Sequence, residues 1–169
     1  PTPFDCNQNR VDDSAVSESL QKLKNLQYQG IVIIKSTLPP GICNSYVSNY
    51  KLDIVFNPEF LRESTTPFED FENQDVVVIG TEDEQIFNSV KKMYQRVLLP
   101  NIDYFQTSLI EAEMIKCSQN TMLASRVALA NMIFDSCEEL GIDYQRVKNI
   151  AFDRFEILGP HMTLVPGPD

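Results

Sequence analysis

Glycine is scarce in this chain: its 169 residues hold six, at Gly30, Gly41, Gly80, Gly141, Gly159 and Gly167. None stands in a G-x-G-x-x-G or P-loop spacing, so the chain carries no phosphate-cradling fingerprint of its own. Histidine is limited to His161, in a proline-rich tail, which leaves no Ser-His-Asp or Cys-His centre to assemble. The four cysteines, Cys6, Cys43, Cys117 and Cys137, are 37, 74 and 20 residues apart with no C-x-x-C pair. With one histidine they make no zinc set at finger-like spacing, so no metal is expected. Cys117 and Cys137 fall on one long helical pattern, about 30 Å apart, too far to bridge within it. Reduced thiols in a cytoplasmic protein are the expectation. No apolar run approaches the ~20 residues of a membrane span, and no leader pattern of basic, apolar and small regions is present. Positive charge is also short: 14 Lys and Arg against 24 Asp and Glu give a net charge of −10. With no basic cluster, nucleic acid and anionic membrane surfaces are disfavoured as partners.

What is present reads as a folded globular chain, 43% hydrophobic and 22% charged. The length suits one domain or parts of two. Both ends, Pro1-Thr2-Pro3 and Pro166-Gly167-Pro168-Asp169, look cut. Asp12, Asp13 and Ser14 offer caps for a helix through Ala15, Val16, Leu20, Leu23 and Leu26, closed by Gly30. Ile31 to Ile34 is a β-branched run that reads as a strand buried on both faces. After Pro39-Pro40-Gly41 a short helix near 42–49 is expected, then strands at Asp53–Phe56 and Asp75–Ile79. Thr81 and Glu84 form a capping box for a helix to about Val97, and a strand near Asp103–Gln106 follows. Ser108 and Glu111 form a second box. It opens a stretch free of glycine and proline to Leu140, a helix of about 50 Å. Its apolar positions are dense, and its length points to a helix that links two domains or packs on a second subunit. Tyr144–Phe152 reads as a last helix. Strands alternating with helices predict an α/β fold with a mainly parallel sheet, whose ligands bind beyond the carboxyl ends of the strands.

Two strand ends are polar: Lys35-Ser36-Thr37 and Asn57-Pro58-Glu59. Glu59 and Glu63 are four apart and share a face if Pro58 starts a helical turn. A carboxylate in a cleft serves as a general base, while two solvated glutamates fit the same spacing. Lys116 and Asn120 are also four apart on the long helix and could hold an oxyanion. Equally, Glu113 and Lys116 could be a surface pair with Asn120 exposed. Thr37 could orient a water or touch a cofactor, or simply shape the turn before Pro39. Arg62 could bind a phosphate or carboxylate.

Taken together and in order, several segments resemble the nucleotide-sugar 6-dehydrogenases of the UDP-glucose/GDP-mannose dehydrogenase family, most closely the members that act on UDP-glucose. They are Pro1-Thr2-Pro3-Phe4, Ile31 to Gly41 with its K-S-T-x-P-P-G string, the N-P-E-F-L-R-E string at 57–63, Val76 to Gly80, and the E-A-E-x-x-K helix at 111–116 followed by Asn120. The resemblance implies an NAD-dependent oxidoreductase. It oxidises the 6-hydroxyl of UDP-glucose to UDP-glucuronate in two steps, through an aldehyde and a cysteine thioester. It implies Glu59 as the general base for thioester hydrolysis, Lys116 and Asn120 as the oxyanion pair, and Thr37 as the group that places the catalytic water. Thr2, Ser36, Thr37 and Glu63 are implied contacts to NAD. Glu59, Phe60, Leu61, Arg62, Lys116 and Asn120 are implied around the nucleotide sugar.

The implied fold is part of a Rossmann-like parallel sheet, a long helix, and a helical central dimerisation domain. Residues 1–106 are the expected later part of the NAD-binding domain and 107–169 a truncated central domain. A homodimer through helix 108–140 and a cytoplasmic location are implied too. The family's glycine fingerprint lies upstream of the Pro-Thr-Pro segment, and its nucleophilic cysteine follows a V-P-G-x-D stretch like the one at 165–169. The expectation is therefore an internal fragment, inactive alone. A relative acting on UDP-mannose, UDP-N-acetylhexosamine or GDP-mannose substrates, and a non-catalytic dimerisation module, are the alternatives.

Overall fold

Two short strands open the chain: β1 (Phe4–Asp5) pairs antiparallel with β2 (Arg10–Val11). Two residues carry no readable period, so the sequence pattern does not announce them. The computed structural model describes residues 2–6, 9–60, 67–72 and 74–153, the side chains of Pro67 and Asp70 excepted. Leu61, Arg62, Glu63 and His161 lie outside the described residues. Helix α1 (Ser14–Asn25) begins where Ser14 N donates to Asp12 Oδ1 at 3.0 Å. Then follow β3 (Val32–Ile34), α2 (Ile42–Tyr50), β4 (Ile54–Phe56), α3 (Pro67–Glu72), β5 (Val76–Gly80) and α4 (Glu84–Tyr94). The chain continues with β6 (Asp103–Thr107), α5 (Leu109–Leu140) and α6 (Tyr144–Ala151).

The main sheet has the order β3-β4-β5-β6. Val32 to Ile34 pair parallel with Ile54 to Phe56, and Val76 to Gly80 pair parallel with Asp103 to Thr107. The two pairs meet antiparallel, at Phe56 opposite Gly80. The α/β fold with parallel strands stands, but the expectation of a mainly parallel sheet is corrected to two parallel pairs running in opposite senses. Each parallel pair has its crossover helix, α2 or α4, as parallel pairing requires. An antiparallel neighbour needs no crossover, and among the described residues the six-residue α3 is the helix between β4 and β5.

Alternate residues along the strands enter two separate cores, as the pleat dictates. Ile34, Ile54, Phe56 and Val78 join Leu20, Leu38, Cys43, Tyr46 and Ala112 on one side. Val55, Val77 and Ile79 join Val90, Tyr94, Leu98 and Ile102 on the other. Continuous apolar runs are the sequence expression of a sheet covered on both faces. The first run is only partly so: Val32 and Ile33 are half-buried, because β3 is an edge strand.

Helix α5 comes close to the end of β5 at Gly80. A Cβ on that residue would lie 2.8 Å from Ala112 Cβ and 3.0 Å from Phe56 O. Ser108 and Glu111 form the expected capping box: Ser108 N donates to Glu111 Oε2 at 2.8 Å, and Glu111 N to Ser108 Oγ at 3.3 Å. The expected box at Thr81 is not formed. Thr81 N donates to Thr107 O at 2.8 Å, which draws Thr81 into the sheet. Asp83 caps α4 instead, accepting from Gln85 N and Ile86 N.

The chain divides into two compact units at Cys117 and Ser118, inside α5. In the second unit Ala130, Cys137 and Tyr144 are buried, and Phe134 meets Tyr144 edge-on at 5.6 Å. Gly141, at φ +64°, ends α5, and Ile142 N closes onto Cys137 O at 3.0 Å. Among the described residues no helix is long and apolar enough to cross a membrane, and no group of three potential metal ligands occurs.

Candidate active site at the ends of β3 and β4

Because β3 and β4 run parallel, their carboxyl ends lie side by side, and this is where the polar residues follow the apolar runs. After β3, Ser36 and Thr37 are half-buried. Thr2 Oγ1 donates to Thr37 O at 2.5 Å and ties the start of the chain to this loop. Three residues implied at the cofactor are thus brought together. Hydroxyl and backbone groups of this kind suit the sugar and amide parts of a dinucleotide. The pyrophosphate needs a glycine-rich turn, which the six glycines do not form.

After β4, Pro58 has no N–H to continue a ladder. The Asn57 side chain supplies a donor there, Nδ2 to Val78 O at 2.7 Å. Its Oδ1 accepts from Lys35 Nζ at 3.0 Å and from the Tyr94 hydroxyl. Lys35 Nζ also lies 3.2 Å from Tyr94 Oη and 3.5 Å from Glu59 Oε2. The Lys35 and Glu59 side chains are 38% and 39% exposed, so the ion pair itself contributes about 0–1 kcal/mol. Glu59 and Phe60 are half-buried at this rim.

Helix α5 supplies the third wall. Lys116 Nζ donates to Glu59 O at 2.5 Å and lies 5.8 Å from the centre of the Phe60 ring. Burial pulls the Lys116 ammonium below the ordinary lysine value, against the opposing pull of the Glu59 carboxylate. Asn120, one turn further along α5, is exposed and belongs to the second unit.

Glu113 does not form the surface pair with Lys116 that its spacing allowed. It is 0% exposed and accepts from Gly41 N at 2.5 Å and Cys43 N at 2.8 Å. Those amides open α2, where the helix dipole favours a carboxylate. Gly41 holds φ +94°, open to glycine at little cost. The contact fixes the loop that carries Thr37 against the helix that carries Lys116. The Cys43 thiol beside it is pushed up by burial, with Glu113 adding to the shift. Cys117, next to Lys116, turns its Sγ to Leu38 O at 3.6 Å.

Sequence reasoning placed Lys35 on the polar edge without a role, left Asn57 and Tyr94 unassigned, and offered Glu113 only as a surface partner of Lys116. An asparagine before a strand-ending proline was the one signal for Asn57. Tyr94 had none, because it arrives from α4, 37 residues away from Asn57.

The chain matches two family models, the UDP-glucose/GDP-mannose dehydrogenase family NAD-binding domain over residues 1–98 and the same family's central domain over residues 110–168. It is 31% identical over 151 residues to the UDP-glucose 6-dehydrogenase of Rickettsia bellii, covering 85% of this chain and 35% of that protein. It is 36% identical over 105 residues to UDP-glucose 6-dehydrogenase AglM of Haloferax volcanii, covering 60% of this chain and 24% of that one. Among solved structures, a UDP-glucose dehydrogenase of Pyrobaculum islandicum matches at a TM-score of 0.75 and 27% identity, over 90% of this chain and 37% of that chain. The fold is shared with GDP-mannose dehydrogenase of Pseudomonas aeruginosa at a TM-score of 0.75 and 23% identity, over 93% of this chain and 39% of that chain. The chain thus spans about a third of the length of the first curated relative.

Proposed function

This chain belongs to the UDP-glucose/GDP-mannose dehydrogenase family, and we propose that the whole protein oxidises the 6-hydroxyl of UDP-glucose to the carboxylate of UDP-glucuronate. The observation that carries the proposal is Lys116 Nζ 2.5 Å from Glu59 O, which ties α5 to the loop after β4, while Cys117 Sγ to Leu38 O at 3.6 Å ties the same helix to the loop that carries Thr37. Curated relatives at 31–36% identity bear the UDP-glucose 6-dehydrogenase name, which supports UDP-glucose over other nucleotide sugars. In this reading residues 1–106 belong to the NAD-binding domain and 107–169 to the central one. The protein works in the cytoplasm as a homodimer paired through α5.

When bound, NAD would supply the hydride acceptor for both oxidations, and Thr2, Ser36 and Thr37 of this chain would hold it, with Glu63 assigned to the same role. The reaction consumes one water and releases three protons. The acid forms when water attacks a thioester on a cysteine that is none of the four on this chain. Glu59 takes the proton of that water, which Thr37 places. Lys116, with Asn120 one turn on, faces the negative charge that develops on the carbonyl oxygen. Phe60 walls the nucleotide sugar, with Leu61 and Arg62 assigned to the same role.

The test is NAD reduction by the full-length protein across UDP-glucose, UDP-mannose, UDP-N-acetylhexosamines and GDP-mannose. Two NADH formed per UDP-glucose is the expected result. Reduction confined to another sugar nucleotide moves the substrate assignment, and none with any of them favours a non-catalytic dimerisation module.

A further inference from the structure

The Lys35 ammonium has three N–H donors, and three acceptors surround it: Asn57 Oδ1 at 3.0 Å, Tyr94 Oη at 3.2 Å and Glu59 Oε2 at 3.5 Å. The first two acceptors are fixed. Asn57 and Tyr94 are 2% and 5% exposed. Asn57 Nδ2 is committed to Val78 O at 2.7 Å, which turns Oδ1 towards Lys35. The Tyr94 hydroxyl donates to that same Oδ1, so its lone pairs are left for the ammonium. The end of β3, the end of β4, a carbonyl of β5 and a phenol of α4 therefore hold one ammonium in place. A solvated surface pair is different, since both side chains must give up rotamer freedom to meet. Here a buried amide and phenol have already set the position of the charge that Glu59 faces.

We infer that Lys35, braced by Asn57 and Tyr94, is a positioning residue that orients the Glu59 carboxylate. Glu59 is then held at both ends, its carboxylate by Lys35 and its backbone carbonyl by Lys116 at 2.5 Å. The inference rests on the general-base role proposed for Glu59. A base must be aligned with the proton it takes. A carboxylate free to swing therefore costs turnover and leaves substrate affinity largely intact.

The test compares the full-length protein with its Lys35→Met, Lys35→Arg and Tyr94→Phe variants in NAD reduction with UDP-glucose. Lys35→Met should lower kcat at least about tenfold, as misplacing a reacting group does. Its KM for UDP-glucose should stay within about threefold. Intact-mass spectrometry should show covalent acyl-enzyme building up. Lys35→Arg should recover most of the rate, and Tyr94→Phe should fall between. A kcat for Lys35→Met within about twofold of the parent, or a loss carried entirely by KM, overturns the inference. If the parent reduces NAD with none of the sugar nucleotides, the general-base reading has failed, and the contact is judged by magnetic resonance of the same full-length protein. There the 15N ammonium resonance of Lys35, assigned by its loss in Lys35→Arg, should move on Glu59→Gln. An unmoved resonance overturns the inference, and this measurement with Lys35→Arg also decides the matter should Lys35→Met fail to fold.

Discussion

Glu59 meets two lysines in different ways, and the difference sets what each substitution should do. Glu59→Gln keeps the backbone carbonyl that Lys116 contacts and removes the charge that would take a proton. In the full-length protein it should cut turnover about a hundredfold or more while acyl-enzyme accumulates. Unchanged turnover removes Glu59 from the role. Lys116 is partly desolvated, so it should lose its proton at a lower pH than an ordinary lysine, whose value is 10.5. The alkaline limb of kcat should therefore fall below that value. Lys116→Arg, which keeps its charge, should push the limb upwards where activity survives, and an identical limb in both excludes Lys116 as its source. Thiol reactivity should follow burial. Cys6 is exposed, whereas Cys43 is buried with its thiol pushed up. Iodoacetamide should modify Cys6 in the folded chain and Cys43 only after denaturation, as read by peptide mass mapping.

Between elements, two contacts set where α5 lies against the sheet. Glu113 satisfies two amides at the start of α2 from the interior of α5. Glu113→Ala leaves the buried Cys43 amide and the part-buried Gly41 amide without this partner, and should cost roughly 2–4 kcal/mol in urea unfolding. Gly80→Ala drives a methyl group against Ala112 and the Phe56 carbonyl. It should cost roughly 1–3 kcal/mol and shift α5 away from the strand ends. A midpoint unchanged in both variants disconnects these contacts from stability. The elements were largely legible: α5 was expected from Ser108 to Leu140 and runs Leu109–Leu140, because a capping box and an uninterrupted helical composition are local signals. The short β1, β2 and α3 were not, since two to six residues carry too little periodicity to read. The cap of α4 moved from Thr81 to Asp83 because a ladder bond to Thr107 competes for Thr81. A competitor 26 residues away leaves no trace in the local pattern.

At the scale of the molecule, the second part of α5 leaves large apolar side chains open to solvent. Met122, Leu123, Leu129, Met132 and Leu140 are all exposed. Under the proposed pairing of two copies along this helix, those residues become covered. Sedimentation should then give a dimer for the full-length protein, and Leu129→Glu with Met132→Glu should shift it towards the monomer. A parent that sediments as a monomer sinks the pairing. The net charge of −10 belongs to this chain, and its sign opposes close approach to nucleic acid rather than to a neutral apolar helix face.

The sequence by itself determined what depends on neighbours along the chain: helix and strand periods, the Ser108 box, and the strings that carry the family resemblance. Through those strings it also pointed to Thr37, Glu59 and Lys116. Only the tertiary structure decided the sense in which the two strand pairs meet, the burial of Glu113 against α2, and the gathering of Lys35, Asn57, Tyr94 and Glu59 around one ammonium. These depend on hydrogen bonds between residues 22 to 72 positions apart. At such separations spacing carries no information about direction. Whether a glutamate faces water or an amide is settled by what packs on top of it.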